Sequence, residues 1–409
     1  MRIAFVCGFA WEPKGTVRLR SYPLAVELVN RGHEVTMFLT PYDNPAESGK
    51  VYTREGVHIQ NLAVGNIPGL GYAALLIRLC RAIDHLSPDV VHIVKPKGFA
   101  GAACSYLLLK GFRSIALDCD DWEGWGGWND IKDYPWIIKK YIDLQEKSLI
   151  RRVPVVTVAS RALESRAAEL RKSSKGVFYI PNCGVSAKDI EAQERARGLG
   201  KDGIRRSFNL PDQPIIFYNG HFEPGDDIMF FCRAAAPVAR RTGSTIVFVG
   251  DGPDLPAVQR YFSCQQGVAV RFFPRLPYEQ FIQLVAACDV AAFPYPDNPL
   301  HRSKCSTRII DYMTMARAVL TTAVGQNAEY IVNGESGILA PPDDEVRFGK
   351  ELQILLCDPE LRARLGRNAE RRVKREFSWN RGPVETCLDA YRCLLRVDVP
   401  ISAAAIKSS

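Results

Sequence analysis

Residues 288–322 read CDVAAFPYPDNPLHRSKCSTRIIDYMTMARAVLTT. The stretch opens on a short apolar run, 288–295, and closes on another, 317–322. Both are too short for helices and rich in residues that suit a buried strand. Between them, Pro299 and its polar neighbours make a loop, and RIIDYMTMA has helical periodicity, with Ser306 or Thr307 as N-cap. Strand, loop, helix and strand in that order predict a βαβ unit with parallel strands. The loop raises a charge problem. His301, Arg302, Lys304 and Arg308 crowd together at a helix start that already carries partial positive charge. A diphosphate held by the helix start, Lys304 and Arg308 would make sense of the arrangement, with Asp311 one turn on accepting from hydroxyls. The alternative is a solvated basic loop.

The same alternation runs outward in both directions. Upstream, strand candidates lie at 2–9, 34–40, 57–63, 89–95, 114–120 and 153–160, with helical patterns such as SYPLAVELVNRG (21–32) between them. The pattern breaks near VFYIPNCGVSAKDI (177–190) and a polar helical stretch follows. It restarts at 214–220, 244–252 and 268–274, and continues past the opening stretch to 336–342. Near-continuous apolar strands alternating with helices mean a parallel sheet covered on both faces. The expected fold class is therefore α/β, with two facing Rossmann-like doubly wound domains, 1–185 and 186–375. A last helix, 376–396, packs back towards the first domain, and 397–409 form a flexible tail. Ligands of such folds bind at the carboxyl ends of strands, here in the cleft between domains.

Composition bounds the partners. The 409 residues are 47% hydrophobic and 24% charged, with a net charge of +8. This is an ordinary globular balance that leans towards anionic partners or serves solubility alone. The 12 cysteines are scattered through apolar runs without C-x-x-C pairs or zinc spacing, which fits a reducing compartment. MRIAFVCGFA lacks the design of a signal peptide and no run is long enough to span a membrane, so a cytoplasmic setting is expected. IPGLGYAALLIRLCRAIDHL (67–86) reads as a core-facing helix or, at most, a peripheral membrane contact. Dinucleotide, P-loop and nucleophile-elbow motifs are missing, as is any nucleic-acid motif.

A second cluster of chemistry ends the strand at 114–120. In LDCDDWEGWGGWND (117–130), Asp120 or Asp121 would orient or deprotonate an acceptor. Trp122 and Trp125 would stack on a sugar, or the Trp/Gly loop simply packs over the core. Asp118 and Asp120 imitate a D-x-D metal motif, but the sheet context differs and no metal is expected. Lys95 and Lys97 end another strand, and Glu12, Lys14, Arg18 and Arg20 follow the first. Lys95 and Arg18 are the acceptor-binding candidates among them.

SKCSTRIIDYMTMARAVLTTAVGQNAEYIVNGESGILAPPDD (303–344) resembles the donor-binding segment of the family-four retaining glycosyltransferases of the glycosyltransferase-B fold. Asp311-Tyr312-Met313, Val319, Gly325 with Glu329, and Gly334 with Gly337 and Leu339 match its pattern. VGDGPDLPAV (249–258) resembles the family's G-x-G-P loop, RFFPRLPYEQFIQLVAACDVAAFPY (271–295) its base-binding turn, and VFYIPNCGV (177–185) its crossover. The resemblance covers nearly the whole chain. It implies a nucleotide-sugar donor, most readily UDP- or GDP-linked, no cofactor and no metal. The acceptor would be a small molecule, a glycan or a lipid-linked molecule, with no nucleic acid. Asp311 would hold the ribose, the backbone of Ser306 and Thr307 the distal phosphate, the backbone of Arg275 and Leu276 the base, and Gly8 would admit the backbone close to sugar or phosphate. The chain departs from the pattern at three places. Ser303 stands where the family has its first acid. His221 and Asp226 stand where an Arg and a Lys neutralise the diphosphate, which makes His221 a catalytic-site candidate of altered character. Asp120 falls where a catalytic His is common. Either Arg302, Lys304 and Arg308 supply the missing charge, or the protein is a non-catalytic scaffold of the same fold or a sugar-nucleotide epimerase.

Overall fold

The computed structural model describes residues 1–12, 15–65, 70–184, 187–223, 225 and 227–395. Lys14, Asp226 and the tail 397–409 lie outside the described residues, as does the join between the two expected domains at 185 and 186.

Two sheets carry the chain. The first holds β1 (Arg2–Cys7), β2 (Glu34–Leu39), β3 (Val51–Arg54), β4 (Val57–Asn61), β5 (Val90–Val94), β6 (Ile115–Cys119), β7 (Val155–Val158) and β8 (Val177–Tyr179). Their spatial order is β3-β4-β2-β1-β5-β6-β7-β8. All pairs are parallel except β3 with β4, a hairpin at the edge. Every residue of β5, β6 and β7 is buried, which is what their continuous apolar sequences require of strands covered on both faces. The second sheet holds β9 (Ile215–His221), β10 (Thr245–Asp251), β11 (Ala269–Phe273), β12 (Val290–Phe293), β13 (Ala318–Thr322) and β14 (Ile338–Ala340), all parallel, in the order β11-β10-β9-β12-β13-β14. The strand order reverses between β1 and β5 in one sheet and between β9 and β12 in the other, and these switch points open ligand crevices at strand carboxyl ends.

The last helix, Gly382–Leu395, returns to the first sheet and lies against β6, β7, β8 and the helix Tyr22–Asn30. Its anchor is polar. Tyr391 Oη lies 2.8 Å from His92 Nδ1 in the middle of β5, and the imidazole stacks on Phe5 at 4.5 Å. Burial drives the His92 pKa down to about 4, so the ring stays neutral in the fold. The helix Leu70–Leu86 faces the core through Leu75, Leu79 and Ile83. No helix among the described residues is long and apolar enough to cross a membrane.

Candidate functional site

The basic stretch of the opening βαβ unit separates into four environments. Residues Pro299–Ser303 form a short helix instead of a loop, started by Asn298, whose side chain accepts from His301 N–H. Asn at the N-cap followed by Pro at the first helical position was the available signal. His301 is buried, its ring 4.8 Å from that of Tyr295. Arg302 points outward and pairs with Asp297 at 2.5 and 2.9 Å. Lys304 lies over the rings of Tyr295 and of Trp128 from the first domain. Arg308 alone of the four lines a large cleft between the domains, of about 880 Å³. Its guanidinium donates to the carbonyl of Asn219 at 2.8 Å and stands 5.4 Å from the Phe293 ring.

This placement depends on glycines at the ends of β9 and β10. Gly220 lies opposite Gly250 in register. A Cβ on Gly220 would come within 2.8 Å of the Arg308 guanidinium, and one on Gly250, whose φ is +142°, within 1.9 Å of the Gly220 carbonyl oxygen. Only glycine allows that approach. The G-x-G-P loop therefore shapes the strand ends so that a cation from another helix fits beneath them.

Around the cleft the second domain contributes His221, Arg275, Leu276, Thr307 and Asp311, and the first domain contributes Glu12 and Arg18. Asp311 is buried and accepts from Tyr278 Oη at 2.9 Å. That hydroxyl in turn accepts from Gln193, so the carboxylate is oriented by a relay. His221 Nδ1 lies 2.9 Å from Asp251. Arg18 therefore shares the cleft with the donor candidates, with Glu12 3.8 Å away. Gly8, Lys304 and Ser306 are not part of the lining. The room that Gly8 leaves is taken by the chain itself, since a Cβ there would meet Ala100 N at 3.1 Å.

The acids at the end of β6 belong to a different environment. Asp118 is not half of a metal motif. Both its oxygens accept from Arg20 at 2.7 Å, and Thr157 donates to it as well. Arg20 also donates to the Ile180 carbonyl and the Asn182 side chain. Asp120, Asp121 and Glu123 surround the ammonium of Lys95 at 2.9, 2.6 and 3.0 Å, and Lys97 also bonds Glu123. These carboxylates could offer a metal three oxygens within 4.8 Å of one another, but the ammonium of Lys95 already stands among them. Lys95 is buried and adopts φ +70°, a left-handed conformation that costs a non-glycine residue about 1 kcal/mol or more. Burial pushes the Asp120 carboxyl up to about 6, against the pull of Lys95. Burial also acts on Glu123, yet Lys95 and Lys97 together hold it down at about 2. One oxygen of Asp120 is buried with no well-directed hydrogen bond.

The Trp/Gly loop is built inward. The N–H groups of Glu123 and Gly124 donate to Glu146, and that of Trp125 to Asp143. The Trp122 ring is covered by the guanidinium of Arg166 at 3.6 Å, and Gly126 and Gly127 pack against that residue so closely that any Cβ would collide. Trp122 thus closes the core, while Trp125 keeps an exposed face.

The domains are tied next to these sites. Ser160 donates to the carbonyl of Ser303, Asn182 to that of Cys305, and Tyr330 to that of Asn182. Glu329, matched from sequence only as a motif letter, accepts from Arg161 N–H at 3.0 Å and Tyr179 Oη at 2.5 Å. Sequence reading missed Asn182, Asn219 and Tyr278 as site residues. They act through a carbonyl or a relay, which residue type alone does not signal.

Comparison with known proteins agrees with this architecture. Residues 15–183 match the model of a glycosyl transferase 4-like domain, and residues 213–358 that of glycosyl transferases group 1. Among curated proteins, the alpha-D-kanosaminyltransferase of Streptomyces kanamyceticus is 26% identical over 186 residues, 44% of this chain and 45% of that protein. The chain therefore matches about half the length of this relative. Among solved structures, sucrose-phosphate synthase from Thermosynechococcus elongatus superposes with a TM-score of 0.71 at 21% identity, covering 97% of this chain and 99% of that one. Anabaena HepE in complex with UDP superposes with a TM-score of 0.66 at 15% identity, covering 95% and 100%. With both halves matched in chain order on two facing parallel sheets, the chain belongs to the family-four glycosyltransferases of the glycosyltransferase-B fold.

Proposed function

We propose that the protein is a retaining, metal-independent glycosyltransferase that uses a nucleoside diphosphate sugar, UDP- or GDP-linked, in the interdomain cleft. The observation that carries this reading is the position of Arg308 beneath Gly220. The family's diphosphate cations follow this strand, and His221 stands in place of the first. Arg308 brings a fixed positive charge to the same strand end from the helix Arg308–Thr314. Asp311, oriented by Tyr278, suits the ribose hydroxyls, and the turn at Arg275 and Leu276 suits the base. As the bond from the anomeric carbon to the diphosphate breaks, the charge on the departing oxygens grows, and the guanidinium stabilises it. The acceptor nucleophile bonds to the same face and its proton passes to the departing phosphate. The acceptor, a small molecule, glycan or lipid-linked molecule, enters from the first-domain side. That every cysteine is a free thiol supports a cytoplasmic setting. The Anabaena relative's complex with UDP supports a uridine donor. The test is a calorimetric titration with UDP, GDP, ADP and dTDP, with and without Mg²⁺. Saturable binding of UDP or GDP that Mg²⁺ leaves unchanged is expected. If none binds at millimolar concentration, the reading fails.

A further inference from the structure

The helix Trp136–Arg152 presents an unusual outer face. Its two acids, Asp143 and Glu146, are buried and occupied with the backbone of the Trp/Gly loop. Outward it shows Trp136, Ile137 and Leu144, which are 63, 67 and 56% exposed, together with Ile138 and Tyr141, and Tyr134 just before the helix. Ile137, Tyr141 and Leu144 are spaced i, i+4 and i+7, so they form one ridge along the helix. The exposed charges along the helix, Lys140, Arg151 and Arg152, are positive, Asp133 just before Tyr134 is the exposed carboxylate nearest the face, and Lys140 lies over the Trp136 ring. From Tyr134 to Arg152 no carboxylate is exposed. Scattered apolar side chains on a surface need no explanation, but a contiguous group of six does.

We propose that this face docks on a membrane surface carrying anionic lipid. An apolar ridge bordered by Trp and Tyr suits the boundary between headgroups and acyl chains, and the cations add attraction to anionic headgroups. The excess of positive charge, three exposed cations along the helix against Asp133 at its start, is what favours a lipid occupant over a second copy of the chain, since mostly like charges would face each other across such an interface. The face begins at the rim of the interdomain cleft. Ile131 packs against the loop at Gly225, and Lys132 pairs at 2.9 Å with Glu223, a neighbour of His221. The stretch 67–86, read from sequence as a core-facing helix or at most a peripheral contact, buries Leu75, Leu79 and Ile83 in the core. The proposal does not depend on what the cleft binds.

The test is co-sedimentation of the full chain with vesicles of phosphatidylcholine, with and without phosphatidylglycerol, at low and high salt. The protein is expected to pellet with the anionic vesicles and to be released by salt. Neutralising Lys140 by Lys140→Gln weakens binding about fivefold, from roughly 1 kcal/mol per cation near the surface. Ile137→Ser with Leu144→Ser abolishes binding and leaves the melting temperature unchanged, because both side chains are exposed. The proposal is overturned if wild type stays in the supernatant with anionic vesicles, or if the serine pair binds as well as wild type. It is equally overturned if light scattering shows a dimer that the serine pair dissociates, which assigns the face to a second copy.

Discussion

Arg308→Ala separates a diphosphate site from a solvated basic surface. The guanidinium is fixed at both ends of its reach, by the Asn219 carbonyl at 2.8 Å and by the rings of Phe293 and Tyr295 at 5.4 and 5.8 Å. A cation so held loses little further freedom on meeting a phosphate. Each charge-assisted hydrogen bond it makes is worth about 1.5–3 kcal/mol. Losing one such bond therefore weakens nucleoside diphosphate binding roughly 10- to 150-fold. Isothermal titration with the diphosphate that wild type prefers gives the number directly. Arg302→Ala is the matched control, because Arg302 is also basic and only six residues away, but it is exposed and satisfied by Asp297. Its dissociation constant should stay within twofold of wild type. Lys304→Ala should sit between the two, since that ammonium contacts Trp128 and Tyr295 rather than the cleft wall. If Arg308→Ala binds as wild type while Arg302→Ala or Lys304→Ala does not, the charge reaches the ligand by a different route and the reasoning is wrong.

Three further outcomes follow from the buried charges. Asp118→Asn strips the anion from a pair that is 2.7 Å apart and almost wholly buried, so it should cost about 3–5 kcal/mol in urea unfolding; a loss below 1 kcal/mol would mean that the Arg20 network is held by its other acceptors. His92 titrates near 4 in the fold instead of 6.5, so acid favours the unfolded chain, which takes up a proton that the fold refuses. Stability should fall by about 2 kcal/mol between pH 7 and pH 5 from this residue alone, and His92→Gln should flatten that slope; parallel slopes for the two proteins would refute it. Asp120 has the opposite sign. Its carboxyl is raised to about 6, so the penalty for keeping it charged is present above that pH and fades as acid approaches the ordinary carboxyl value. Asp120→Asn should raise the melting temperature at pH 7, with the gain shrinking towards pH 4, and a lower melting temperature at pH 7 would show instead that Lys95 needs all three carboxylates.

Most of the sheet architecture was legible because it depends on local composition. A run such as DVVHIVK has no polar face to give to solvent, so it becomes an inner strand whatever its neighbours. Two strands were missed for physical reasons. β3 is an edge strand with alternate residues exposed, and its turn to β4 uses Glu55 and Gly56, both at positive φ. That geometry belongs to a tight hairpin, but Glu-Gly is not the Asn-Gly pair that advertises one. β8 is only three residues long and half-buried, too short for its periodicity to register.

The site was legible in a different and more limited way. Of the donor candidates read from the sequence, Arg275, Leu276, Thr307, Arg308 and Asp311 line one cleft. Residues whose meaning comes from a distant partner were misread. The D-x-D pattern at Asp118 was set aside as a metal motif on its sheet context, but its actual partner, Arg20, lies 98 positions away and could not be read from the sequence. Trp122 looked like a sugar platform because Arg166, which covers it, arrives on the helix Arg161–Arg171, four elements later. Lys95 was read as an acceptor-binding candidate, yet it is the strained, buried cation that gathers three acids at the switch point of the first sheet. The proposed function extends the same logic to the Arg and Lys missing from the second domain. Charge at a strand end can be delivered by any helix whose start reaches it, provided glycines leave the space. Gly220 and Gly250 leave it, and Arg308 fills it. A motif lost in one segment is therefore weak evidence against the function until the geometry shows that no other segment supplies the charge.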